Sequence, residues 1–274
     1  MRGFGRGLDI LSTVELAGPW KAHLADDELR RDGIGLDLAD QAWLDVPVPG
    51  HWRSHPELSD GPLLYRRRFE GEPPAEGRRR WVTFNGIFYQ ADVWLDGAYL
   101  GDPEGYFFPH SFDITSLSRL GREHVLAGEV ACRPEHGVKG RRNITGLFQH
   151  SEAVDRDWNP GGIWAPVLVY ETGPAKMDRL RVLCRDADEA RAHVRLGARF
   201  DSDRARTVRV RTTADGAVVG ETEHALAAGL NEIEWTLDID QPRLWWPRSL
   251  GDQPMTEIGV ELLVDGAVSD RRRR

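Results

Sequence analysis

The sequence has 274 residues, 40% hydrophobic and 29% charged, enough for about two domains of ~100–200 residues that each bury a core. Its net charge of −8 leaves no basic footprint for nucleic acid or an anionic membrane surface. No apolar run approaches the ~20 residues of a membrane helix.

From the N-terminus, Met1 to Ile10 is rich in Gly and Arg and lacks the apolar stretch of a secretory signal, so a cytoplasmic setting is expected. Arg78-Arg79-Arg80 leads into a strand carrying Trp81 and Phe84, and Trp94 follows on another; rings at strand positions are expected in the core. Asp96-Gly97 then reads as a two-residue hairpin turn, since both residues tolerate positive φ. Val130-Ala131-Cys132 and Val182-Leu183-Cys184 are apolar strand-like runs, so both thiols are expected to be buried and free, with a disulfide as the lesser alternative.

Arg141 to Trp164 reads as a long loop holding His150, Asp155, Asp157, Trp158 and Asn159, closed by Pro160-Gly161-Gly162. Long loops on a rigid β-scaffold are disproportionately functional. A Trp beside carboxylate and amide groups suits a pyranose, whose C–H face lies on the indole while its hydroxyls bond to Asp and Asn. The bland alternative is that Trp158 only packs the loop against the scaffold. Ile163 to Tyr170 reads as a buried strand, and a boundary falls at Glu171-Thr172-Gly173-Pro174.

Beyond it, period-two alternation is regular. Ala192, Val194, Leu196, Ala198 and Phe200 alternate with His193, Arg195, Gly197 and Arg199. Ile233, Trp235, Leu237 and Ile239 alternate likewise, and Asp215-Gly216 and Asp265-Gly266 mark further hairpins. The fold class is therefore all-β. A larger jelly-roll-type β-sandwich over residues 10–173 is followed by an immunoglobulin-like β-sandwich over 175–274.

Several blocks resemble one family. Trp81-Val82-Thr83-Phe84-Asn85-Gly86 with Ala91-Asp92-Val93-Trp94-Leu95-Asp96-Gly97 is similar to the central hairpin of the sugar-binding domain of glycoside hydrolase family 2. Upstream stand Val46-Pro47-Val48-Pro49-Gly50-His51-Trp52 and Leu64-Tyr65-Arg66-Arg67-Arg68-Phe69. Downstream come Gly105-Tyr106-Phe107, Ser111-Phe112-Asp113-Ile114-Thr115 and Gly161-Gly162-Ile163-Trp164-Ala165-Pro166-Val167. Pro242-Arg243-Leu244-Trp245-Trp246-Pro247 with Gly251-Asp252-Gln253-Pro254 is similar to the signature late in the family's immunoglobulin-like domain. The order of the blocks makes the resemblance specific.

The resemblance implies a β-glycosidase lineage, acting on β-galactosides, β-glucuronides, β-mannosides or glucosaminides. In that family both catalytic glutamates lie in a (β/α)8 barrel beyond these domains. The chain would then be non-catalytic alone, bracing a barrel supplied in cis or by a second chain, with a β-glycoside as the ligand of the complete enzyme. Asp157, Trp158, Asn159 and His150 become the expected sugar-contacting residues. In the β-mannosidase branch a Trp-Asp-Trp motif reaches the sugar. Asp157-Trp158 matches its last two residues, and Arg156 replaces the first. Arg156 also stands where the β-galactosidase branch has a sugar- and sodium-binding Asp. The branch resemblance therefore leans toward β-mannosidase.

Neither cofactor nor metal is expected. His51, His55, His136 and His150 have no metal-ligand spacing, and no Gly-rich phosphate loop opens a helix. Asn231-Glu232 copies the family's acid/base dipeptide in letters but opens an alternating strand, where geometry rather than spelling decides. Trp245-Trp246-Pro247 is expected to pack internally. Gly105 to His110 is read either as an exposed apolar loop that docks on a barrel or as a sandwich edge packed on its own domain. The alternative from a different functional class is a stand-alone carbohydrate-binding module without hydrolase activity, which exposed paired rings would favour.

Overall fold

The computed structural model describes residues 13–52, 55–58, 61–132 and 161–274, and more than half of them belong to antiparallel strands. They form two compact units. One comprises Thr13–Ala75 and Arg80–Tyr170; the other comprises Glu171–Arg274 with Glu76–Arg79.

In the first unit a six-stranded sheet has the order β3 (Leu44–Val48), β2 (Gly18–Leu24), β4 (Leu63–Glu70), β9 (Glu123–Ala131), β6 (Gln90–Leu95), β7 (Ala98–Gly101). A four-stranded sheet has the order β1 (Thr13–Glu15), β10 (Val167–Thr172), β5 (Arg79–Phe84), β8 (His110–Asp113). Strands distant in sequence are neighbours in both sheets, the jelly-roll habit rather than that of a meander. The core holds Trp20, Trp52, Tyr65, Phe84, Ile87, Leu95 and Ile114, all fully buried. Val167 starts β10, so the strand begins later than Ile163; Pro166 has no N–H to give, and its carbonyl accepts from Asn85 instead.

A second apolar cluster lies apart from that core. Leu64, Trp94 and Ala127 are covered by Ala25, Leu29, Ile34 and Trp43. Leu29 comes from the helix α1 (Asp27–Asp32), which the scarcity of helical periodicity did not announce. Its signal was present in miniature. Asp26 caps the helix by accepting from the amides of Glu28 and Leu29 at 3.0 and 2.8 Å, acids fill the first turn and Arg30 and Arg31 the last. Arg66, fully buried, pins the segment that follows by donating to Asp40 at 2.9 Å and to the carbonyls of Gly33 and Gly35.

The second unit is a seven-stranded sandwich, the strand number of a constant-type immunoglobulin fold. One sheet has the order β11 (Ala175–Ala187), β12 (Arg191–Ser202), β15 (Gly229–Asp240); the other β14 (Ala217–Leu226), β13 (Arg206–Ala214), β16 (Ile258–Val264), β17 (Ala267–Arg273). Ala192, Val194, Leu196, Ala198 and Phe200 are all buried, as their alternation predicts. Trp235 is buried and donates from Nε1 to Thr212 at 3.1 Å. All three Asp-Gly pairs have positive φ at both residues and close two-residue hairpins.

Two expectations need correction. Cys132 is buried, but Cys184 is exposed, because β11 runs on past the core and its last residues face solvent. Trp245 and Trp246 do not pack internally: they are 57% and 48% exposed.

Candidate functional site

The expected sugar-contacting residues His150, Asp157, Trp158 and Asn159 lie outside the described residues. The described scaffold on either side of them begins at Cys132, after β9, and at Gly161.

Gly161 and Gly162 are held against two other segments. The Trp52 amide donates to the Gly161 carbonyl at 3.0 Å, and Phe88 and Gly162 exchange both backbone hydrogen bonds at 2.8 and 3.2 Å. No larger residue fits. A Cβ on Gly161 would lie 1.8 Å from the Trp52 indole, and Gly162, at φ +140°, would place one 2.9 Å from the His51 Cα. On the other flank, the Tyr89 amide donates to the Ala131 carbonyl at 3.1 Å. The two flanks are therefore tied to adjacent residues, Phe88 and Tyr89.

An aromatic cluster continues from this point. Tyr106 sits with its ring 4.4 Å from that of Phe88 and 4.8 Å from that of Tyr89, centroid to centroid. Trp164 donates to the Tyr106 carbonyl at 2.9 Å and meets Phe107 edge-on. Gly86 makes room for Trp164, since a Cβ there would lie 2.4 Å from the indole. Phe107 and Phe108 stand 62% and 64% exposed. Gly105 to His110 thus divides between the two readings: Tyr106 packs on its own unit, whereas Phe107 and Phe108 form an exposed apolar tip.

Polar groups near this cluster are few. Tyr65 Oη and Trp52 Nε1 are buried and have no hydrogen-bond partner among the described residues; burial pushes the Tyr65 phenol above its ordinary range. A Cβ on Gly162 would come within 3.3 Å of that same Tyr65 oxygen, so the orphan hydroxyl abuts the Gly161-Gly162 pair. His110 is half-buried, which lowers its pKa against a weak opposing contact from the Gly105 carbonyl.

Asn231-Glu232 is a piece of turn architecture. The Asn231 carboxamide accepts from the Ala227 amide at 2.8 Å and donates to the carbonyls of Ala227 and Gly229, both at 2.9 Å. Glu232 is exposed on β15, opposite Arg199 of β12. The dipeptide closes the β14–β15 connection. No group of three or more His, Cys, Asp or Glu is placed to hold a metal ion among the described residues.

Two consecutive antiparallel sandwiches, the first with an aromatic loop edge, define the kind of β-sandwich pair found in the N-terminal parts of large glycosidases. Residues 176–274 match the family model described as glycosyl hydrolases family 2, and the chain belongs to that family. An exo-β-D-glucosaminidase of Hypocrea virens is 29% identical over 228 residues, covering 76% of this chain and 24% of that protein. A β-mannosidase B of Emericella nidulans is 28% identical over 252 residues, covering 84% of this chain and 30% of its own length. The fold is also that of a family 2 β-glucuronidase structure, with a TM-score of 0.73 at 19% identity over 96% of this chain and 30% of that one. The chain thus spans about a quarter to a third of the length of these relatives.

Proposed function

We propose that this chain is the ancillary β-sandwich part of a retaining β-glycosidase of family 2. It braces a (β/α)8 barrel, in cis or from a second chain, and lends the segment between Cys132 and Gly161 to the pocket for the sugar being released. Asp157 and Asn159 would bond sugar hydroxyls, Trp158 would stack on the ring and His150 would line the approach. The observation that carries this reading is the anchoring of both flanks of that segment to Phe88 and Tyr89, with glycines that tolerate no side chain. A loop fixed at both ends on a rigid sheet can hold a carboxylate in register with a substrate. The chain itself supplies binding, bracing and water exclusion, and the two carboxyls of hydrolysis come from elsewhere in the enzyme.

Two free cysteines, one exposed, fit a reducing compartment, and we place the protein in the cytoplasm. Among the described residues no helix is long and apolar enough to cross a membrane.

The test is Asp157→Ala in a polypeptide that joins this segment to its barrel. Loss of one charge-assisted hydrogen bond to the sugar should lower kcat/KM on the order of 10- to 100-fold. An unchanged kcat/KM would remove Asp157 from the sugar pocket.

A further inference from the structure

The hairpin turns at Asp96, Asp215 and Asp265 are alike in sequence, since each reads Asp-Gly-Ala. They are alike in backbone too. The aspartates have φ of 51°, 46° and 50° and the glycines 85°, 87° and 80°, and each pair lies between facing strand residues. An aspartate followed by glycine is open to an intramolecular reaction. The next backbone nitrogen lies within reach of the carboxyl carbon, and glycine has no Cβ to obstruct the approach.

What differs among the three is the carboxylate. Asp96 is held twice, by His124 Nδ1 at 2.7 Å and by the Val125 amide at 2.7 Å. Asp215 is held twice as well, by Arg243 at 2.8 Å and by the Glu257 amide at 2.9 Å. Asp265 is exposed, and its carboxylate makes no hydrogen bond or ion pair among the described residues. The Gly266 amide donates to no backbone carbonyl there, and a Cβ on Gly266 would meet nothing within 4 Å, so the turn stands in open solvent. Related pairs elsewhere are closed by other means. Asn85 donates to the Pro166 carbonyl at 2.9 Å, and Gly86 is buried against Trp164. Gly33, after Asp32, is buried and donates its amide to the Leu29 carbonyl at 2.6 Å. Asp60, before Gly61, lies outside the described residues.

We propose that Asp265 is a site of covalent self-modification, turning to isoaspartate through a succinimide, and that it reacts ahead of Asp32, Asn85, Asp96 and Asp215. The Gly266 nitrogen attacks Asp265 Cγ, the bond from Cγ to one carboxyl oxygen breaks, and that oxygen leaves as water with the amide proton. Water then opens the ring. Addition at Cγ restores aspartate, and addition at the backbone carbonyl leaves the chain running through Cγ as isoaspartate. Nothing is oxidised or reduced, and the net composition is unchanged. The product lengthens a two-residue turn by one methylene, which strains the Val264–Ala267 pairing. The strand displaced is β17, whose Ser269 and Asp270 side chains accept from the amides of Ala175 and Met177 at 3.0 and 2.7 Å. The disturbance therefore reaches the start of β11.

The experiment ages the 274-residue chain in warm, mildly acidic buffer. Isoaspartate is read by peptide mapping with electron-transfer fragmentation and by methyl labelling with an isoaspartyl methyltransferase. It should appear at Asp265 at least about tenfold faster than at Asp96 or Asp215, whose carboxylates must first leave charge-assisted hydrogen bonds. The same peptide should carry a succinimide, lighter by one water. In urea the three rates should converge, because the restraint belongs to the fold. Asp265→Asn suits the same turn, since Asn also tolerates positive φ, and should lose ammonia faster than Asn85 does. Isoaspartate arising at Asp96 or Asp215 as fast as at Asp265 overturns the proposal, as does a lead of Asp265 that persists undiminished in urea. So does a folded chain that stays intact at Asp265 while the urea-unfolded chain reacts there, which would show that the turn itself protects.

Discussion

The two units solve the problem of a stable sandwich by different means. In the first, the rings of Trp20, Trp52 and Phe84 fill the core, and a buried arginine stitches an irregular segment to the sheet. In the second, long strands keep strict alternation, and their outer faces carry exposed cross-strand ion pairs such as Arg195–Glu234, Arg211–Glu221 and Arg209–Glu223. Buried ions depend on every partner being present, whereas exposed pairs are nearly interchangeable with water. The first unit should therefore be brittle at single positions and the second tolerant on its outer faces.

The largest effect that would break this contrast is Arg66→Ala. It removes the nearer of the two cations on buried Asp40, leaving only Arg68 at 3.8 Å, and takes a buried donor from the carbonyls of Gly33 and Gly35, and should cost about 3 kcal/mol in denaturant unfolding. Gly161→Val comes next, at about 3 kcal/mol, because its Cβ overlaps the Trp52 indole and the neighbouring backbone pairing must shift. In the second unit Asn231→Ala should cost about 1 kcal/mol through three lost turn hydrogen bonds, each solvated in the variant. Arg195→Ala should cost less than ~1 kcal/mol, and added salt should erase the difference. If Arg195→Ala proved as costly as Arg66→Ala, the contrast would be wrong.

Acid sharpens the comparison further. His110 in the first unit and His224 in the second are both pushed below their ordinary 6.5 by burial. A depressed histidine is neutral in the folded state while the unfolded chain already takes up its proton. Stability is thus fully present above pH 6.5 and is lost as pH falls from there toward the folded pKa. His110 is the more deeply buried of the two, so His110→Gln should flatten the acid limb of the stability profile more than His224→Gln. Unfolding midpoints between pH 7 and pH 5 measure this.

What could be read from the sequence follows the same division. β12 and β15 announce themselves, because a half-buried strand writes its two faces as alternate letters. The Asp-Gly hairpins are equally legible, since few residue pairs accept two positive φ angles in succession. The helix α1 was not legible as periodicity. It is under two turns long and contributes only Leu29 to a small cluster, so tertiary packing rather than pattern sustains it. The burial of Arg66 was hidden too, since its partners are backbone carbonyls of a distant segment.

At the sites, the sequence singled out His150, Asp157, Trp158 and Asn159 by residue type and by family resemblance, and these lie outside the described residues. The part of that region the structure does describe was legible only in outline. Pro160-Gly161-Gly162 reads as a loop closure, but the need for glycine arises from Trp52, a hundred residues away in the chain. For Cys184, apolar letters in a run suggest burial, yet a strand that outgrows its sandwich leaves its last residues facing solvent. For Trp245–Trp246 the packing expectation came from the family signature, and a loop that bonds to itself leaves both indoles about half exposed within this chain.

The central claim, that this chain is the non-catalytic part of a family 2 β-glycosidase, is tested most directly by assaying the purified 274-residue chain for release of 4-nitrophenol from 4-nitrophenyl β-D-glucosaminide, β-D-mannoside and β-D-glucuronide. The account predicts no turnover above the uncatalysed rate with any of the three. A measurable turnover that disappears in Glu232→Ala or Asp157→Ala would contradict it and place a catalytic carboxylate within this chain.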